Sequence, residues 1–134
     1  MPDFAAQLAA IRLGRQPASM RVGNLSPERD FTDVRDVAAA YLRLAEAGRP
    51  GEAYLICSGR PVSVRHLLDT LIELAGVAVT VETDASRLNS VDTPCLYGSN
   101  AKIAADTGWR PTIPLRQSLT DALADWEMRL QKAE

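Results

Sequence analysis

The chain has 134 residues, a net charge of −2, and 46% hydrophobic and 24% charged side chains. This is enough for one domain to bury about two-thirds of its unfolded surface without staples. The charge balance gives no reason to expect nucleic acid or an anionic membrane as partner, and no apolar run approaches the ~20 residues that span a bilayer.

The first candidate element is a helix over 3–13, with Phe4, Leu8 and Ile11 on one face and Gly14 and Pro17 as its stop. Met20–Val22 reads as a short strand leading to Asn24, and Asp30–Thr32 as a second extended piece. A helix follows from Val34 to Ala47, capped by Thr32 or Asp33 and ended by Gly48, Pro50 and Gly51. Its expected inner stripe is Val34, Val37, Ala38, Tyr41, Leu44 and Ala45, with Arg35, Asp36, Arg43 and Glu46 facing away. Ala53–Cys57 has the pattern of a buried strand. Ser63 caps a second strong helix with Val64, Leu67, Leu68, Leu71, Ile72 and Ala75 inward, closed by Gly76. Val77–Val81 is β-branched and strand-like, and 83–99 is the longest irregular stretch. Asn100 can cap a short helix to Thr107, and Pro114 opens a last one with Leu119, Ala122, Leu123, Trp126 and Leu130 as its stripe. Helices alternating with few short strands give an α/β (α+β) class in one domain over 1–134. Such strands do not make a free-standing parallel sheet, which needs both faces covered.

Cys57 and Cys95 are far apart, with no CxxC and a single histidine, His66, so no zinc site is expected. Two reduced, mostly buried thiols and an N-terminus interrupted by Asp3 and Gln7 fit a cytoplasmic protein without a leader. His66 reads as a solvated side chain on the polar side of its helix. A dinucleotide fold needs a glycine-rich strand-to-helix turn, so that backbone N–H groups reach the pyrophosphate. The glycines at 14, 23, 48, 51, 59, 76, 98 and 108 include no GxGxxG or GxxGxxG set. No cofactor is therefore expected in this chain.

The run Gly23-Asn24-Leu25-Ser26-Pro27-Glu28-Arg29-Asp30-Phe31-Thr32-Asp33-Val34-Arg35-Asp36-Val37 resembles one in the extended short-chain dehydrogenase/reductases that modify nucleotide sugars. It looks most like GDP-mannose 4,6-dehydratases and the related GDP-4-keto-6-deoxymannose reductases. Three further blocks are similar in order and spacing. They are the Phe4–Gln16 helix, Gly51–Arg60 with the Val62–Leu68 helix start, and Thr107-Gly108-Trp109-Arg110-Pro111. Enzymes of that family carry a Rossmann half before the first run, whereas only 22 residues precede it here. They also use a Tyr-x-x-x-Lys pair. Tyr41, Tyr54 and Tyr97 have no lysine four residues on. The resemblance thus implies the C-terminal, substrate-binding part of such an enzyme, with NAD or NADP bound in complete relatives.

It also implies site residues. Arg29 matches an arginine that contacts the nucleotide diphosphate, suited to paired charge-assisted bonds. Its own surroundings equally allow an ion pair with Asp30, Asp33 or Asp36. Asn24 matches a residue lining the nucleotide pocket, and by itself also reads as a turn residue. The family's second clamp, Arg-Pro-x-Asp/Glu, falls on Asn89-Ser90-Val91-Asp92. Asp92 keeps the acid, Asn89 replaces the arginine, and Arg87 substitutes only if the loop shifts. Loss of one clamp costs about 1.5–3 kcal/mol, one to two powers of ten in affinity.

The resemblance therefore implies a GDP-sugar-binding domain that is inactive by itself, its Rossmann half coming from a partner chain or from a longer gene of which this is a piece. The alternatives are a stand-alone, self-associating assembly module, expected as a homodimer that buries retained apolar surface, and a gene fragment without function.

Overall fold

The computed structural model describes residues 2–84, 86 and 93–132. In chain order these form α1 (Pro2–Arg12), β1 (Ser19–Val22), β2 (Glu28–Asp30), α2 (Val34–Ala47), β3 (Pro61–Ser63), α3 (Val64–Ala75), β4 (Thr80–Thr83), β5 (Cys95–Leu96), α4 (Ala101–Thr107) and α5 (Leu115–Lys132). The class is α/β with few strands, as the sequence suggests. The chain divides into two units: Met1–Pro27, Ser63–Thr93 and Arg116–Glu134 make the first, Glu28–Val62 and Pro94–Leu115 the second. No helix among the described residues is long and apolar enough to cross a membrane.

The first unit holds most of the buried apolar surface. α1 buries Phe4, Ala5, Leu8 and Ala9 and packs against α3. Its end is closed by Gly14 at φ 69°, where the Gly14 and Arg15 amides donate to Ile11 and Ala10 carbonyls. α3 contributes Leu67, Leu68, Leu71 and Ala75, the face that its periodicity marks out. Ser63 Oγ accepts from the His66 amide at one end, and left-handed Gly76 closes the other. β1 and β4 run parallel, Met20 opposite Val81, with Met20 and Val22 fully buried. β4 starts at Thr80, later than the 77–81 run suggests, because the first ladder bond is from the Thr80 amide to the Ala18 carbonyl. α5 adds Leu119 and Leu123.

The second unit carries a three-stranded sheet of order β3-β2-β5, with Glu28 opposite Cys95 and Arg29 opposite Leu96 in the parallel β2–β5 pair. β2 therefore precedes the expected 30–32 piece, and β5 lies in the stretch expected to be irregular. Ala40, Ile103 and Trp109 form the core, with Leu44, Tyr54 and Ile56 packed on it.

α2 has the expected ends, capped by Asp33, but not the expected face. Asp36, expected outside, is 4% exposed, whereas Val34 and Tyr41, expected inside, are 76% and 64% exposed. Hydrogen bonding decides the orientation. Both Asp36 carboxylate oxygens accept from the Thr112 amide at 3.1 Å, one from Thr112 Oγ1 and one from the Ile113 amide, both at 3.0 Å. Trp109 Nε1 donates to the Asp36 carbonyl at 3.0 Å. A buried carboxylate so satisfied is tolerable, and turning it outward would strand those donors.

Two more expectations are corrected here. Ala53–Cys57 is not a strand. Asn100 does precede α4, but its side chain makes no cap bond and instead donates to the Cys57 and Ser58 carbonyls at 3.0 and 3.3 Å. Of the thiols, Cys57 is buried and Cys95 is exposed.

Candidate functional site

A solvent-open hollow of about 340 Å³ lies in the first unit, lined by Gly23, Asn24, Leu25, Ser26, Arg65 and Thr83. It is built where β1 runs into an irregular loop that is tied to the start of α3. Asn24 Oδ1 accepts from the Ser26 amide at 3.0 Å and from Ser26 Oγ at 2.9 Å, an Asx turn that fixes the loop. The Leu25 carbonyl accepts from the Arg65 amide at 2.9 Å and the Pro27 carbonyl from the Val64 amide at 3.0 Å. With Ser63 Oγ taking the His66 amide, the first-turn N–H groups of α3 are occupied by protein. An anion in the hollow must therefore be met by side chains rather than by the helix end.

The Arg65 guanidinium is the cation available for this. Its side chain is exposed, and among the described residues only its backbone amide has a partner. Its position is locally unfavourable: a cation in the first turn of a helix opposes the macrodipole at a cost of about 0.3–1 kcal/mol. A bound diphosphate would reverse that sign. Beside the hollow, Arg21, Glu82, Thr83 and Asp84 line a smaller groove of about 250 Å³ of mixed charge.

Of the residues singled out from the sequence, Asn24 lines the hollow together with Arg65 and forms the Asx turn. Arg29 lies on β2 in the second unit, where its Nη1 donates to the Glu28 carbonyl at 2.8 Å. Of the three carboxylates near it in sequence, Asp33 pairs with Arg35 at 2.8 Å, Asp36 accepts from the 112–113 turn, and Asp30 accepts from the Ser58 and Gly59 amides at 2.8 and 2.9 Å. Arg87, Asn89 and Asp92 lie outside the described residues. Arg65 escaped sequence reasoning because it falls on the polar side of an amphipathic helix. The signal that could have found it is the arginine set two residues after an N-cap serine, against the dipole.

Asp30 anchors the second unit. Burial works to raise its pKa, but the bonds from Ser58, Gly59 and Gly98 outweigh that and hold it below the ordinary 3.8. Burial, reinforced by the Asp30 carboxylate, pushes the neighbouring Cys57 thiol up. This is structural chemistry, pinning the Cys57–Gly59 turn to β2.

The glycines with positive φ, at 14, 51, 59, 76 and 108, close helices or sit in turns, and none opens a helix.

The fold matches part of the extended short-chain dehydrogenase/reductase fold. The chain belongs to the GDP-mannose 4,6 dehydratase family, whose model matches residues 2–122. It is 38% identical over 128 residues to GDP-6-deoxy-D-mannose reductase of Pseudomonas aeruginosa, covering 96% of this chain and 42% of that protein. It is 30% identical over 107 residues to GDP-L-fucose synthase 1 of Arabidopsis thaliana, covering 80% of this chain and 32% of that one. A solved structure of RMD from Pseudomonas aeruginosa complexed with NADPH superposes with a TM-score of 0.90 at 37% identity, over 96% of this chain and 42% of that chain. The chain thus spans about two-fifths or less of the length of these relatives.

Proposed function

We propose that this chain is the GDP-hexose-binding part of an NAD(P)-dependent sugar-nucleotide dehydratase or reductase and performs no catalysis by itself. The observation that carries the reading is the hollow lined by Gly23–Ser26, within the Val22–Val37 block that is most specific to the family, together with Arg65. In this reading Arg65 meets the diphosphate through charge-assisted hydrogen bonds. Thr83 and Asn24 bound the same space. Arg29, in the second unit, is proposed as a diphosphate contact on the family motif only. What such a chain contributes to a reaction is positioning: it holds the nucleotide so that the hexose meets a hydride-transfer centre supplied by residues outside it.

The test is a calorimetric titration at low salt with GDP-mannose, using GDP, UDP and dTDP as comparators. Saturable binding selective for guanine nucleotides, weakened at least tenfold in Arg65→Ala, supports the reading. No heat up to millimolar nucleotide defeats it.

A second reading, a self-associating assembly module, is favoured by one observation. Val34, Tyr41, Leu42, Leu55, Leu96 and Tyr97, all in the second unit, are each at least 60% exposed.

A further inference from the structure

The smaller groove is continuous with the hollow, since Thr83 lines both. Its wall is the outer face of the β1–β4 ladder. Arg21 stands opposite Glu82 in register, and both are exposed, while Met20 and Val22 are buried on the other face. Paired strands lie about 4.8 Å apart, so a guanidinium and a carboxylate share this wall. α1 fixes the backbone there: the Arg21 amide donates to Gln7 Oε1 at 3.2 Å, and the Arg21 carbonyl accepts from Gln7 Nε2 at 3.3 Å. The end of the groove is fixed too. The Asp84 amide donates to the Val22 carbonyl at 2.8 Å, and Asp84 Oδ1 accepts from the Ser86 amide and hydroxyl at 2.9 and 2.6 Å.

Glu82 is different. Its carboxylate lines the groove, and among the described residues it has no hydrogen bond or ion pair. The groove thus joins one unpartnered anion, Glu82, to one unpartnered cation, Arg65. From Arg21, opposite Glu82, to Leu25, whose carbonyl holds the Arg65 amide, the chain advances four residues, at most about 14 Å. A nucleoside diphosphate, with a ribose between base and phosphates, fits that span.

The charges also say which base. An ionised carboxylate only accepts hydrogen bonds, through two oxygens. Guanine presents two adjacent donors, N1–H and the N2 amino group, beside the acceptors O6 and N7 that suit a guanidinium. Uracil and thymine present a single N–H between two carbonyls, and adenine an acceptor at N1. Each of these sets a lone pair against the carboxylate, which is repulsive.

We propose that Glu82 is the specificity-determining residue for guanine. Its carboxylate accepts from N1–H and the N2 amino group of a base seated in the groove, with Arg21 on the O6 side, while Arg65 meets the diphosphate in the adjoining hollow. This rests on the reading above that a GDP-hexose binds here, and adds the side chain that tells it from other nucleotides.

The experiment is a calorimetric titration of the full 134-residue chain with the diphosphates of guanosine, inosine, xanthosine and uridine at low salt. Inosine lacks only the N2 amino group, and xanthosine carries a carbonyl in its place. The parent should bind GDP about tenfold tighter than the inosine nucleotide and about 100-fold tighter than the xanthosine one. Glu82→Gln offers one acceptor and one donor, the complement of xanthine N1–H and O2. In that variant GDP should weaken by about tenfold and the xanthosine nucleotide should gain by about tenfold, reversing the order. A damaged fold cannot produce such a gain, and the urea midpoint of Glu82→Gln should match the parent because the side chain is exposed.

Parent affinities for all four nucleotides within about threefold of one another, or a Glu82→Gln variant that keeps the parent's order, overturn the assignment of Glu82. If Arg65→Ala still weakens every one of them, the diphosphate reading survives that result. Absence of binding by any of the diphosphates up to millimolar concentration overturns the proposed function, and the role of Glu82 falls with it.

Discussion

Replacing Asp36 with alanine tests why α2 presents the face it does. The carboxylate is 4% exposed and accepts from two backbone amides and one hydroxyl, all within 3.0–3.1 Å. A hydrogen bond to a charged group contributes about 1.5–3 kcal/mol net, and each buried donor left without a partner costs about 1–3 kcal/mol. These terms share one carboxylate and do not add, so the expected loss is about 3–5 kcal/mol. Asp36→Asn keeps one accepting oxygen and should lose about half of that. Thr112→Val removes only the hydroxyl bond and should lose about 1 kcal/mol. Urea unfolding followed by tryptophan fluorescence reports on this site in a Trp126→Phe background, because Trp109 Nε1 is bonded to the Asp36 carbonyl. At a slope of about 1.5 kcal/mol per molar, the Asp36→Ala midpoint falls by about 2–3 M. A loss under about 1 kcal/mol would refute the argument that this carboxylate sets the orientation of α2.

Three further outcomes follow from the same geometry. Because the folded pKa of Asp30 lies below its ordinary 3.8, its stabilising contribution is complete above that value and is lost as pH falls through the lower folded pKa. Urea midpoints from pH 7 to 2 should therefore fall less steeply below pH 4 in Asp30→Asn than in the parent, and equal slopes would contradict this. A disulfide-exchange thiol reagent at pH 8 should titrate exposed Cys95 within minutes and buried Cys57 only on unfolding; two equally fast thiols would contradict the placement of Cys57. Arg65→Ala should leave stability unchanged or raise it by up to about 1 kcal/mol, since it removes a cation from the first turn of α3. A fall of more than 1 kcal/mol in its thermal or urea stability would mean that Arg65 serves the fold rather than a ligand.

Elements with strong local punctuation could be read directly from the sequence. α3 has a serine cap, a dense leucine face and a left-handed glycine stop, so its ends and its buried side both follow from local pattern. α2 gave its ends for the same reason, through Asp33 and Gly48, but not its face. What turns it is a bond set between Asp36 and residues 112–113, more than seventy positions away, and no window along the helix contains that partner. Ala53–Cys57 has strand composition but no ladder among the described residues, because a strand is a property of a pair. At the candidate site, Asn24 was marked by its motif, whereas Arg65 meets the 23–26 loop only through folding, by the bond from its amide to the Leu25 carbonyl.

The central claim, that the loop–helix hollow of the first unit holds a guanosine diphosphate sugar, is tested most directly by amide shift mapping. The 14.5 kDa chain is within easy reach of two-dimensional nitrogen–proton spectra during a GDP-mannose titration. The account predicts saturable shifts concentrated on Gly23, Asn24, Leu25, Ser26, Arg65 and Thr83, absent with UDP at the same concentration and lost in Arg65→Ala. Saturable shifts that leave these six amides unmoved would contradict it, as would spectra unchanged at millimolar GDP-mannose.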